Sequence, residues 1–319
     1  MSTNFTSQLP NISIQISRYF SVLLFLFGTI GNILNCLVFS RQKLRSNPCV
    51  IYFLTASIFN LISIIIGLYG RILKHWHILP DFTESISILC QIRLFILFSA
   101  RNIASWLLVC AIIDRFLVSS LNIRFRRMSN IKQAHRCIFI VCTSSIIYWL
   151  EVFICFDADL VHTPLKCYAK SSSCRIFNDL SQALITTFIP SFIMLIFGLR
   201  TIANIHRVKL MSPILPRKRT YSRRKIRKDD TTLTRMLFLQ VILLTIFNIP
   251  QAIQKFYITN TFYQSKSLSQ RIIEQFFFNI GVLLTYIPNC LPFYIYTFTG
   301  VRFRTTLFYM FRQMTCRIR

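Results

Sequence analysis

Acidic residues, glycine and closely spaced cysteines are scarce in this chain, and each shortage excludes a class of protein or site. The 319 residues include 10 Asp and Glu against 37 Lys and Arg, with 7 Gly and 5 His. None of the 11 cysteines forms a C-x-x-C pair, which argues against a zinc site. The histidines lie far apart, and the sequence shows no Ser/His/Asp or Cys/His grouping. We therefore expect neither an enzyme nor a bound metal or cofactor.

Apolar residues, in contrast, are abundant. They make up 54% of the sequence, more than a soluble domain of this size has an obvious way to bury. Seven apolar runs are each about 20 residues long, the length at which a helix crosses a bilayer. The runs are Tyr19–Phe39, Val50–Tyr69 (interrupted by polar residues), Ile86–Leu117, Cys137–Phe156, Leu180–Ile202, Met236–Phe256 and Ile272–Tyr296. The sequence thus predicts an all-α membrane protein, a bundle of seven transmembrane helices.

The net charge of +27 is spread unevenly over the two sides of the predicted membrane. The loops after the first, third and fifth spans, together with the C-terminal tail, hold 24 of the 37 Lys and Arg. By the positive-inside rule these segments are cytoplasmic and the N-terminus is outside. We expect the basic loops to contact anionic lipids. Nucleic acid is not an expected partner, because no soluble domain presents the basic surface.

Both ends of the chain fit this orientation. Residues 1–18 form an extracellular N-terminus with two N-glycosylation sequons, at Asn4 and Asn11. Residues 19–298 form the membrane domain, and residues 299–319 form a short cytoplasmic end. In that end the apolar side chains recur at helical spacing, which predicts a short amphipathic eighth helix on the inner membrane surface. Its apolar face comprises Phe303, Leu307, Phe308 and Phe311, with Arg304 and Arg312 elsewhere.

The third span ends in an acid beside a base, Asp114 and Arg115. Charges placed at the membrane boundary need partners and are functional by default. Cys90 begins the same span 25 residues before Arg115, roughly 37 Å away along a helix. Cys90, Cys167 and Cys174 share the predicted oxidising side, where a disulfide is allowed. Most other cysteines lie within spans and serve as small apolar residues.

A cysteine at the outer end of the third of seven spans, with Asp-Arg-Phe at its inner end, resembles the rhodopsin-like (class A) family of G-protein-coupled receptors. Further matches cover the membrane region: "GNILNCLVF" in the first span, "FNIP" with Pro250 in the sixth, and "PFYIY" ending at Tyr296 in the seventh. The general character of the sequence is similar to that of divergent invertebrate receptors. Asn60, Asn248 and Phe293 depart from the family pattern, which usually has an acid, a tryptophan and a proline there.

The resemblance implies a plasma-membrane receptor that binds an extracellular ligand and activates a heterotrimeric G protein. The implied switch lies at the inner face, where Arg115 pairs with Asp114 and with an acid that begins the sixth span. That acid is Asp229 or Asp230, and Pro250 supplies a hinge in the sixth span. The residues assigned to the switch are Asp114, Arg115, Phe116, Asp230, Pro250 and Tyr296.

The resemblance also implies a disulfide between Cys90 and the outer loop after the fourth span. Cys167 is the favoured partner and Cys174 the second choice. Either bond would tie the loop over the ligand pocket. A local bond between Cys167 and Cys174 is the third alternative.

The ligand pocket that the resemblance implies contains Arg71, Leu97, Arg101, Asn248, Gln251 and Tyr286. Leu97 stands where amine receptors carry Asp, and Tyr286 stands where opsins carry the retinal lysine, so neither class is expected. The outer loop after the fourth span is long enough for the β-hairpin typical of peptide receptors, which favours a neuropeptide. The alternatives are a chemosensory receptor for a small acidic metabolite and a seven-helix transporter, which the low glycine content disfavours.

Arg101 allows two interpretations. It lies 11 residues after Cys90, roughly 16 Å into the membrane by helical rise. A charge at that depth must find a partner. Either Arg101 pairs with Glu151 and joins the third and fourth spans, or it joins Arg71 in holding an acidic group of the ligand.

Overall fold

A computed structural model describes the backbone of residues 2–76, 85–160, 166–210, 217–261, 264 and 266–318. The side chains of residues 2–7, 43, 208–210, 217–233, 302, 311 and 314–318 lie outside this description. The described part is helical apart from turns and one two-stranded hairpin.

Six helices are long and apolar enough to cross a membrane, and a bent pair forms the seventh span. The spans are α1 (Ser2–Phe39), α2 (Pro48–His75), α3 (Ser87–Ser119), α4 (Ile131–Trp149 and Val152–Cys155), α5 (Ser172–Ser181, Gln182–Phe188 and Ile189–Leu210), α6 (Arg217–Asn260) and α7 (Leu268–Leu284, Ile287–Cys290 and Pro292–Thr299). An eighth helix, α8 (Val301–Ile318), follows, and short helices Gln42–Arg45 and Ile123–Met128 lie in the loops after α1 and α3. The predicted all-α bundle of seven spans is confirmed.

Two spans differ from their predicted bounds or continuity. Helix α1 begins at Ser2, so the segment before the first apolar run continues that span as one helix. Helix α2 is unbroken although its apolar run contains polar residues. Asn60 and Ser63 are buried on its inward face, where other parts of the bundle shield them from lipid.

Two spans depart from regular α-helix. Residues Gln182–Phe188 of α5 form a π-helical stretch, in which each amide bonds five residues back. Helix α7 is interrupted at Thr285 and Tyr286 and again at Leu291. At the second interruption Leu268–Cys290 and Pro292–Thr299 are bent by 41° relative to each other. Pro288 and Pro292 lie on either side of Leu291 and have no amide hydrogen for the preceding turn. Tyr286, at the first interruption, is buried in the bundle.

Helix α3 is the most deeply buried span, whereas α4 is the most peripheral. On α4 the large apolar side chains of Phe139, Ile147 and Ile154 are 68–71% exposed. Apolar surface on this scale is what a bilayer covers. An aromatic cluster fills the bundle on the side of α8, and its members are Phe39, Phe53, Tyr296 and Phe303.

Helix α8 packs against the bundle through Phe303, Leu307 and Met310, all buried. Phe308, another residue of the predicted apolar face, is 70% exposed and does not pack against the bundle. Five residues rotate a helix by about 140° relative to the starting position, which takes Phe308 away from the bundle. The side chain of Phe311 lies outside the described residues.

The loop between α4 and α5 contains the hairpin that the length of the loop predicts. Strand β1 (Phe156–Asp157) pairs antiparallel with β2 (Tyr168–Ala169), with Phe156 opposite Ala169 and Asp157 opposite Tyr168. Gln91 on α3 donates to the carbonyl of Phe156 at 2.9 Å. The hairpin therefore lies across the end of α3 that carries Cys90.

Two disulfides hold this loop. Cys90 is bonded to Cys167, with 5.7 Å between the Cα atoms, which is the pairing the resemblance favoured. Cys174 is bonded to Cys155, with 5.3 Å between the Cα atoms. The second choice of Cys174 for Cys90 is therefore wrong, and so is the local Cys167–Cys174 bond. Cys155 is not merely an apolar residue of a span, because it ends α4 beside the first turn of α5.

Removal of the second disulfide should lower the stability of the receptor. The bond joins residues 19 apart, and a loop of this size is worth about 3 kcal/mol in the chain-entropy account. We expect Cys155→Ser, Cys174→Ser and the double variant to lower the apparent unfolding temperature of the purified receptor equally. Cys36→Ser, which removes a free cysteine, is the control. Mass mapping that finds Cys155 as a free thiol in the unreduced receptor would show that this bond is wrong.

Candidate functional site

A cavity of about 320 Å³ lies between the helices on the hairpin side of the bundle. Five of the six residues predicted for the pocket line it: Arg71, Leu97, Arg101, Gln251 and Tyr286. The sixth, Asn248, lines an adjoining cavity of about 70 Å³, which also contacts Arg101 and Gln251. The structure thus brings the six predicted residues to one connected site.

The hairpin forms one wall of the larger cavity through Phe156, Lys166, Cys167 and Tyr168. The Ser87 hydroxyl at the start of α3 donates to the Asp157 carboxylate. That hydrogen bond, with a second from the Ala158 amide, lowers the pKa of Asp157 below its usual value. Burial raises the pKa of the Tyr168 phenol. Asp157 therefore stays charged at neutral pH and fixes the hairpin to α3, while Tyr168 stays neutral.

Arg101 lies where the two cavities meet and is half-buried. Its Nε donates to the Ser63 hydroxyl at 3.3 Å, and its guanidinium carbon lies 4.2 Å from the centre of the Tyr286 ring. Its Nη2 is buried and has no hydrogen-bond partner. Arg101 thus connects α2 and α3 to Tyr286, at the first interruption of α7.

The predicted pair between Arg101 and Glu151 does not form, so that interpretation of Arg101 is wrong. Glu151 instead accepts a hydrogen bond from Asn178 Nδ2 at 3.4 Å and links α4 to α5. In the described part of the chain, no carboxylate oxygen lies within 4 Å of the Arg101 nitrogens. The reason is rotational: residues at the same depth on two helices meet only when both face the shared interface, and the cavity side of α3 faces α2 and α7.

An ion pair that the sequence patterns did not predict lies at the edge of the site. Lys255 Nζ on α6 lies 3.1 Å from an Asp179 carboxylate oxygen and donates to Gln182 Oε1 at 2.6 Å. Asp179 also accepts from the Thr259 hydroxyl at 2.7 Å. Lys255 is four residues after Gln251, so helical spacing from a predicted pocket residue was the available signal.

A second polar network lies at the opposite end of α3. Arg115 and Asp114 are buried, and their side chains are 2.6 Å apart. Asp114 also accepts a hydrogen bond from the Ser129 hydroxyl at 2.6 Å. Arg115 donates to Asn47 Oδ1 at 2.9 Å, and the same oxygen caps α2 through the Cys49 amide. The pair thus joins α2, α3 and the loop before α4, and Asn47 was not foreseen.

The other predicted switch residues are spread over three helices. Phe116 packs edge-on against Phe197 of α5, with ring centres 5.2 Å apart. The Tyr296 hydroxyl on α7 donates to Gln240 Oε1 of α6 at 2.9 Å. Pro250 is exposed and lies within a continuous α6, so no break accompanies it. The side chain of Asp230 lies outside the described residues.

Comparison with known proteins identifies the class that this bundle and its two polar sites define. The sequence matches the family described as 7 transmembrane receptor (rhodopsin family) over residues 31–296. This match covers most of the chain, and the protein therefore belongs to the rhodopsin family of seven-transmembrane receptors. The chain is also similar to neuromedin-U receptor 2 of Rattus norvegicus, at 21% identity over 288 residues, or 88% of this chain and 71% of the relative.

The buried pair at the end of α3 leads to a stability prediction. Asp114→Asn leaves the buried Arg115 charge uncompensated, and loss of one partner of such a pair costs about 3 kcal/mol or more. We expect a lower apparent unfolding temperature in a thermal unfolding experiment on the purified receptor. Asp159→Asn is the matched control, because Asp159 is exposed and asparagine tolerates its positive φ of 55°. Equal unfolding temperatures for the two variants would contradict the prediction.

Proposed function

We propose that this protein is a plasma-membrane receptor that binds an extracellular peptide and activates a heterotrimeric G protein through Asp114, Arg115 and Phe116. The observation that carries the proposal is the position of two polar sites on one buried helix. Arg101 faces the cavities, and Arg115 lies in the network at the far end of α3. The 14 residues between them correspond to about 21 Å of helix. A ligand that favours one arrangement of α3 and its neighbours can thereby bias the other end.

Family membership supports the two partners. Receptors of this family imply an extracellular ligand and a G protein as partners. The charge distribution supports an outside N-terminus with the Arg115 network at the cytoplasmic face. We further propose that Asp230 pairs with Arg115 in the inactive state, and that release of this contact accompanies outward movement of α6.

A peptide is the favoured ligand for two reasons. The relative of this chain is named as a receptor for neuromedin U, a peptide. The floor of the site contains a buried acceptor, Gln251 Oε1, that has no hydrogen-bond partner. Peptide amides are suitable donors for it, because an unmet buried acceptor costs about 1–3 kcal/mol. The second candidate is a small acidic metabolite, which the basic lining of the cavity favours.

Contact with anionic lipids is part of the proposal. Arg304 and Arg312 are exposed on α8, beside the exposed apolar side chains of Phe308 and Tyr309. A helix of this kind lies in the membrane interface, with apolar groups in the acyl boundary and basic groups at the phosphates. This arrangement supports an inner-leaflet position for α8.

Signalling by Arg115 variants tests the proposal. Cells that express the receptor are challenged with pooled peptides and pooled organic acids, and calcium and cyclic AMP are measured. We expect a peptide pool to activate the wild type and to fail with Arg115→Ala at matched surface level, because the charge that the switch releases is gone. Arg136→Ala, which removes an exposed charge from the same predicted face, should signal normally. Full activation of Arg115→Ala would refute the switch, and activation by acids alone would favour the metabolite.

A further inference from the structure

The larger cavity is lined by cations without a matching number of acids. Six Lys and Arg residues contribute to its wall: Arg71, Lys74, Arg93, Arg101, Lys166 and Lys255. No Asp or Glu is among the described residues that line it. Asp179 lines the adjoining smaller cavity, where it forms an ion pair with Lys255 and accepts a hydrogen bond from the Thr259 hydroxyl. The described lining therefore contributes a positive potential that attracts an anion and repels a cation.

Arg101 is the cation in this cavity with the least compensation. Its described contacts are a neutral hydroxyl, Ser63, and an aromatic face, Tyr286. A ring face attracts a guanidinium through its quadrupole, but it brings no negative charge to balance the cation as a carboxylate would. One guanidinium nitrogen is buried with no acceptor. An ionised side chain at this depth in a membrane protein is expected to have an anionic partner. In this site an anion can reach Arg101 through the cavity.

We propose that Arg101 is an anion seat: it binds a carboxylate group of the ligand at the floor of the outer cavity. This proposal rests on the proposed receptor function and specifies the chemistry of the group that enters the site. A guanidinium is suited to the task because its planar fork binds a carboxylate with two parallel hydrogen bonds. The carboxylate can come from a peptide or from a small organic acid, and both sources fit the same seat.

The contact between Arg101 and Tyr286 connects the seat to α7. Tyr286 lies in the break between the first two parts of α7 and is buried. Its ring packs so closely against Gly67 of α2 that a Cβ at that position would overlap the phenol oxygen. A carboxylate that binds the guanidinium competes with the ring for it and weakens this contact. Anion binding thereby acts on the interruption of α7 at Tyr286, ten residues before Tyr296, whose hydroxyl joins α7 to α6.

Direct binding to the purified receptor tests the seat. Full-length receptor in neutral phosphatidylcholine nanodiscs is titrated with three probes, and the apparent unfolding temperature is measured. The probes are a pool of tetrapeptides without Asp or Glu that have free C-terminal carboxylates, the same pool with amidated C-termini, and citrate. We expect the carboxylate pool or citrate to stabilise the wild type, and the amidated pool to have no effect. Stabilisation by peptides alone identifies a peptide carboxylate, and stabilisation by citrate alone identifies a small acid.

Variants assign the effect to Arg101. Arg101→Gln should raise the half-maximal concentration of the stabilising probe at least tenfold, and Arg101→Lys should restore part of the binding because it keeps the charge. Arg271→Gln removes an exposed charge at the start of α7, outside the cavity lining, and should behave as the wild type. Higher salt should weaken binding in every responsive variant, because charge attraction is screened.

Several results would overturn the anion seat. They are equal stabilisation of the wild type by the amidated and carboxylate pools, no stabilisation of the wild type by any acidic probe at millimolar concentration, or an unchanged response in Arg101→Gln. The comparison of pools on the wild type decides the question even when Arg101→Gln does not fold. The readout is binding and not signalling, so failure of the proposed function appears separately, as anion binding without G-protein activation.

Discussion

Helix α3 runs through the middle of the bundle, so an arginine on its buried face must find a partner inside the protein. The desolvation cost of an unpaired charge in such surroundings exceeds what packing can return. At one end Arg115 meets this requirement with Asp114 and Asn47. Toward the other end Arg101 has a hydroxyl and a ring, and its charge stays largely uncompensated. This difference separates a network whose charges are paired within the protein from the site where we propose that a ligand supplies the missing charge.

The loop between α4 and α5 keeps the second site accessible. Cys90–Cys167 attaches the hairpin to α3, and Cys155–Cys174 attaches the end of α4 to the start of α5. The hairpin therefore forms one wall of the cavity instead of filling it. The two acids near the loop also have partners: Asp157 accepts a hydrogen bond on the hairpin, and Asp179 forms an ion pair with Lys255. Both acids are committed to structure, which leaves the cavity wall basic.

The two polar sites are connected through packing as well as through α3. Tyr286 contacts Arg101 from the first interruption of α7, and Tyr296 bonds Gln240 of α6 further along the same span. Tyr296 also packs against Phe53 of α2, with ring centres 5.0 Å apart. A change at Tyr286 is therefore transmitted to α2 and α6. Helix α2 lies next to the Arg115 network, and α6 carries its proposed partner Asp230. The bend of α7 at Leu291 lies between Tyr286 and Tyr296 on this connection.

The sequence by itself determined the seven spans and their all-α character, because runs of about 20 apolar residues cross a bilayer as helices. The resemblance to the receptor family supplied the six residues predicted for the pocket. It also indicated Asp114–Arg115 and a loop disulfide at Cys90. Tertiary structure decided the partners. Glu151 bonds Asn178 and not Arg101, Cys174 bonds Cys155 and not Cys90, and Asn47 joins Arg115. Depth along a helix follows from the residue count, but the side that a residue presents to its neighbours depends on how the helices are rotated and packed. That rotation is a property of the whole bundle, and it left Arg101 facing a cavity.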